Sequence, residues 1–146
     1  MKAGTGRWTC CYWEESYNQL DMVRRQEGLV APGIYFMPPP VGDITLHDGL
    51  WDELNDKLGT LFDMAEEESI GPDLLPDVAM IVFSFAKQRY SKLSGLRTVQ
   101  IGQQIAPQSK PLIAQMPLVD LQGYLQKLGE FLANAGDQEK IVIISL

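Results

Sequence analysis

Val78-Ala79-Met80-Ile81-Val82-Phe83-Ser84-Phe85 is apolar on both faces of an extended chain. That pattern predicts a central strand covered on both sides. Downstream, residues 86–95 are polar and basic, and Arg97 to Ile105 alternates. Val99, Ile101 and Ile105 point one way and Thr98, Gln100 and Gln104 the other, which predicts a half-buried strand. Ala106 to Met116, with Pro107 and Pro111, reads as a loop. A helix follows from Pro117 to Ala135, with Leu121, Tyr124, Leu125, Leu128, Phe131, Leu132 and Ala135 on one face and Gly136 as its stop. Ile141-Val142-Ile143-Ile144 is a second buried strand.

Upstream of Val78, Gly71-Pro72 and Pro76 mark a loop. Before it, Leu50, Trp51, Leu54, Leu58, Leu61, Phe62 and Ala65 recur at helical spacing, in an arc about 120° wide. They predict one long helix from Asp48 to Glu68, capped by Thr45 or Asp48. Nearer the start, Arg7 to Trp13 reads as a strand, with Trp8, Cys10 and Tyr12 on one face and Thr9, Cys11 and Trp13 on the other. Ser16 to Gln26 reads as a helix stopped by Glu27-Gly28. Ile34 to Met37 is a short strand ended by Pro38-Pro39-Pro40, since proline has no N–H for a sheet ladder.

The element order is then β-α-β-α-β-β-α-β. It defines an α/β class, with an α+β sandwich as the other arrangement of the same elements: a mixed sheet of about five strands and three helices. The 146 residues suit a single domain, 1–146. With 45% hydrophobic and 21% charged residues, the composition excludes wholesale disorder. No apolar run approaches the ~20 residues of a membrane-spanning helix. The basic start lacks the apolar stretch of a secretory signal, so a cytoplasmic protein is expected. Cys10 and Cys11 are neighbours whose side chains would fall on opposite strand faces, which predicts two reduced thiols.

Charge is unevenly placed. The net charge is −7. Between Asp43 and Asp77 there are 11 acidic residues and one base, Lys57, so this segment is −10 and the remainder +3. Val78 to Val119 contains no acid and five bases: Lys87, Arg89, Lys92, Arg97 and Lys110. On the predicted long helix, Asp52, Asp56, Asp63 and Glu67 fall opposite the apolar arc. They would form an acidic ridge about 22 Å long at ~1.5 Å per residue, with Glu66 beside it. Like charges at i, i+4 cost a helix a few tenths of a kcal/mol per pair, and Lys57 relieves only part of this through Glu53. The ridge suits a surface that steers a basic partner, although a solvated face has the same composition. The basic stretch, with Tyr90 as its one aromatic, is weak support for nucleic-acid binding in a protein of pI 4.6. A solvated loop, or one paired with the acidic helix of the same molecule, accounts for it better.

Motifs for chemistry are scarce. His47 is the single histidine and sits near Asp43 and Asp48, at a spacing that matches no metal-ligand pattern. Ser16, Ser84 and Cys10 lack a nucleophile-elbow context. Gly4-Thr5-Gly6 precedes a strand instead of following one, unlike a phosphate-binding loop. No catalytic residue, metal site or cofactor is expected, and a non-enzyme is the leading reading.

In size, charge and lack of catalytic motifs, the chain resembles the cytoplasmic immunity proteins of bacterial toxin systems. That resemblance implies an inhibitor of a basic protein partner, such as a secreted toxin domain, acting as a monomer or homodimer without nucleic acid or membrane. Its partner-binding residues would be Asp52, Asp56, Asp63, Glu66 and Glu67. Two other readings stay open: a structural or adaptor subunit of a larger assembly, and a small enzyme or ligand-binding module using His47 and nearby carboxylates.

Overall fold

Proline and glycine set most of the element boundaries. The computed structural model describes residues 8–63, 66–92, 94–105 and 107–146. Gly4-Thr5-Gly6, Arg7, Ala65 and Ala106 of the sequence reading lie outside the described residues. β1 (Thr9–Trp13) leads through a 3-10 stretch (Glu14–Gln19) into the single turn α1 (Leu20–Val23). β2 (Gly28–Ala31) and β3 (Ile34–Met37) form a hairpin, and Pro38 marks its end. Then come α2 (Pro39–Asp48), α3 (Leu50–Leu58), β4 (Glu67–Ile70) and α4 (Leu75–Arg89). A second hairpin of β5 (Leu96–Gln104) and β6 (Lys110–Pro117) precedes α5 (Leu118–Asp137) and β7 (Val142–Ser145).

The class is α+β. The main sheet has five strands in the order β2-β3-β1-β7-β4, every pair antiparallel, and β5-β6 forms a separate two-stranded sheet. The alternation read in β1 holds. Cys11 lies opposite Tyr35 and Ile144, and these side chains join Met37 and Val142 in the main core under the helices. Tyr12 lies opposite Ile34 and, with Phe36, forms a second cluster on the far face, closed by Leu20 and Val23 of α1. The two cysteines are therefore free and back to back across the sheet. Burial and the nearby Glu67 charge push the Cys10 thiol up to about 12 against the opposing Arg25, and burial raises Cys11 well above its usual value. Native protein at pH 8 is expected to alkylate with iodoacetamide at least about a hundredfold more slowly than unfolded chain, because the thiolate is the nucleophile. Rapid labelling of the folded protein would contradict this packing.

Four sequence expectations are corrected. Val78–Phe85 is the middle of α4, not a central strand. An apolar run of eight residues does not distinguish a buried strand from a buried helix by periodicity. Its flanks decide: Pro76 sits in the first turn with Asp77, and Lys87 and Arg89 in the last, each favourable at its end of the helix dipole. Burial then follows the helical period, with Leu75, Val78, Ala79, Val82, Phe85 and Ala86 inside and Met80 outside.

The predicted helix Asp48–Glu68 is broken twice. Gly49 (φ 92°) and Gly59 (φ 70°) adopt left-handed conformations that end α2 and α3. Asn55 then holds the turn after α3. Its Oδ1 accepts from the Phe62 amide and the Thr60 hydroxyl, both at 2.8 Å, and its Nδ2 donates to the Phe62 carbonyl at 2.8 Å. Phe62 still reaches the core, against Trp51, but through this turn and not a helical stripe.

The supposed loop before α5 contains β6. Among the described residues it pairs only with β5, so its prolines lie in an edge strand, where proline is tolerated. Ser16–Gln26 divides into the 3-10 stretch and α1, ending at Arg24, whose φ is 56°. The triple proline ends β3 as expected, and it also starts α2, whose Gly42 passes so close to β1 that a Cβ there would lie 2.5 Å from the Thr9 hydroxyl.

Candidate functional site

The acidic residues singled out from sequence are exposed, but they do not form one ridge. Asp52 and Asp56 stand one turn apart on the outer side of α3, whose Leu50, Trp51 and Leu54 are buried in the core. Asp63 and Glu66 lie on the connection after it. Glu67 begins the edge strand β4 and turns to the far face of the sheet, where it accepts a hydrogen bond from the Tyr12 hydroxyl at 3.3 Å. Glu68 faces the other way and accepts from the Leu61 amide at 2.7 Å. The acids thus follow the rim of the molecule from α3 to the sheet edge instead of one helix face.

Lys57 bonds Glu53 at 3.3 Å, as its i, i+4 spacing dictates. Among the described residues, Asp52, Asp56 and Glu66 make no ion pair, and the other internal pairs involve Asp48 and Glu15.

Asp48 is the acid that the basic stretch does neutralise. It ends α2, with its carboxylate buried where α2, α4 and the β5–β6 hairpin meet. Oδ2 accepts from the Tyr90 hydroxyl at 2.8 Å and from Arg97 Nε at 3.0 Å, and Oδ1 from Arg97 Nη2 and from His47 Nδ1 at 3.1 Å. Arg89 donates to the Asp48 carbonyl at 3.2 Å and lies over the Phe85 ring, 5.2 Å from its centroid. Burial pushes the Asp48 carboxyl up, but the hydrogen bonds from Arg97, Tyr90 and His47 and the Arg97 charge outweigh it and hold the group below its ordinary value. Burial and the bond to Asp48 keep Tyr90 protonated well above the usual range. Arg97 is raised by the same bond.

Both Asp48 carboxylate oxygens are occupied by donors of the same chain. His47 is exposed and touches one carboxylate, Asp48; among the described residues, no three His, Cys, Asp or Glu side chains converge as metal ligands. Sequence reasoning noted that the basic stretch could pair within the molecule but did not identify Asp48 as its partner, since 49 residues separate Asp48 from Arg97.

No family model matches the chain, and no match was found among curated proteins or solved structures. Among the described residues, no helix is long and apolar enough to cross a membrane.

Proposed function

We propose that the protein is a non-enzymatic binding protein whose acidic rim takes and neutralises a basic polypeptide partner, in the manner of an immunity protein against a bacterial toxin domain. The observation that carries this reading is the pair Asp52 and Asp56: exposed, one helical turn apart, and without an ion pair among the described residues. Asp63, Glu66 and Glu67 extend the same negative rim. The nearest base in sequence, Lys57, is engaged by Glu53, and Arg97 is turned to Asp48. The like-charged pair costs α3 a few tenths of a kcal/mol, and it creates a field that speeds the encounter with a cationic surface.

The test compares wild type with Asp52→Lys/Asp56→Lys, immobilised and exposed to lysate of the source cells. Wild type is expected to retain a protein with a basic face. The reversed variant should associate with it about tenfold more slowly, and raising the salt should narrow the gap. Equal association rates, or a retained partner without a basic face, would remove the rim from the mechanism. Light scattering of the isolated chain addresses the subunit reading: a large homo-oligomer favours the assembly, a monomer or dimer the inhibitor.

A further inference from the structure

A second surface lies at the opposite edge of the main sheet. Tyr35 of β3 faces α5: its hydroxyl donates to the Tyr124 carbonyl at 2.9 Å, and its ring stacks on Phe131 with centroids 6.0 Å apart. Leu29 of β2 is the cross-strand partner of Tyr35 and so shares its face. Yet α5 does not cover Leu29, which is 64% exposed. Between the uncovered part of β2 and the side of α5 runs a groove of about 690 Å³, floored by Leu29, Tyr35, Tyr124 and Phe131. That volume is ordinary for a binding site.

Gly123 is the second observation. α5 contains three glycines. A Cβ at Gly129 would lie 2.4 Å from the Phe83 ring, and one at Gly136 would lie 3.3 Å from Leu75, so close packing against α4 accounts for both. Gly123 lines the groove, and a Cβ there would meet no atom within 4 Å. A glycine inside a helix costs about 1 kcal/mol relative to alanine, and no neighbour within the fold requires it here. What its missing side chain preserves is the open groove.

The chemistry of the walls selects the occupant. Among the described residues β2 pairs only with β3, so its other edge offers unpaired backbone groups to an added strand. Glu27, Asp120 and Glu130 border the groove against the single base Lys127, and none of the four forms an ion pair among the described residues. We propose that the groove receives an extended segment of a partner polypeptide that pairs with the open edge of β2 and carries apolar residues together with Lys or Arg on its groove-facing side, at every second position. The groove-facing apolar side chains rest beside Leu29 and Tyr124, and the groove-facing cations meet Glu27, Asp120 and Glu130. This surface does not depend on the acidic rim at α3 and β4.

The experiment pans a displayed library of random twelve-residue peptides against the full chain, with Gly123→Trp as the counter-selection target. Selected peptides are expected to carry apolar residues and Lys or Arg together at every second position, the side that faces the groove. They should bind Gly123→Trp at least about tenfold more weakly, and Asp52→Lys/Asp56→Lys as tightly as wild type. Hydrogen exchange at residues 28–31 should slow on binding. Because open space surrounds Gly123, the tryptophan variant should melt no lower than wild type. Leu29→Arg, an exposed substitution that opposes a basic peptide, must weaken the same binders. The proposal fails if no peptide is enriched, if the consensus is acidic, if both blocking variants bind like wild type, or if β2 exchange is unchanged. It also fails if wild type is a dimer that Gly123→Trp dissociates, because the groove then belongs to a second copy of the chain.

Discussion

Asp48→Ala is expected to lower the unfolding free energy by about 2–4 kcal/mol, measured by urea denaturation. The substitution removes the acceptor of the Tyr90 hydroxyl and of Arg97 at once. Tyr90 is buried and would be left without a partner, whereas Arg97, 39% exposed, recovers water. The second loss is therefore screened, and the total stays below that of a fully buried pair. Asp48→Asn should show the pH signature. The native carboxyl titrates below its unfolded value of about 3.9. Between those two values the unfolded chain binds more protons, so stability rises with pH there. The contribution of Asp48 is complete above about pH 4 and is lost as the pH falls through the native value. Wild type should lose stability in that window more steeply than Asp48→Asn. Parallel acid limbs would mean that the ion pair contributes nothing.

Gly129→Val should cost about 1–3 kcal/mol. The Phe83 ring approaches the helix backbone at this point, with three ring atoms 2.4–2.8 Å from the position a Cβ would take. α4 and α5 either separate or Phe83 leaves its rotamer, and both weaken the largest helix–helix contact in the fold. Phe83→Ala in the same chain should recover much of the loss, giving a favourable coupling energy in a double-mutant cycle. Strictly additive losses would show that the two residues do not meet. Gly123 makes the contrast within one helix, since a Cβ there meets no atom within 4 Å among the described residues.

The residues that were legible in the sequence are those whose neighbours along the chain determine their environment. Leu121, Leu125, Leu128 and Leu132 outlined α5 because one helix face carries them all. Ile34 to Met37 was legible because prolines bound it on both sides. The Val78–Phe85 run misled because an all-apolar segment has no polar phase to set its period. The stripe from Leu50 to Phe62 misled differently: it is continuous in hydrophobicity but not in backbone, and Gly49 and Gly59 outweigh the pattern. β2 was missed because four residues, Gly28 to Ala31, are too few to set a period of two. At the candidate site, the exposure of Asp52 and Asp56 was legible from helical spacing. The turn of Glu67 to the far face of the sheet was not, because it follows from strand pairing with β7. The link from Asp48 to Tyr90 and Arg97 has no local signature at all, since it depends on three elements meeting in space.

The placement of β7 has a consequence for biosynthesis. Val142–Ser145 is the shared neighbour of β1 and β4, and more than a hundred residues separate it from β1. Until Val142–Ser145 has left the ribosome, β1 has only β3 beside it and β4 has no strand partner among the described residues. The two hairpins can form before that segment is made, so β1 keeps one strand edge unpaired from its own synthesis to that of β7, and β4 waits unpaired over the later part of the same interval.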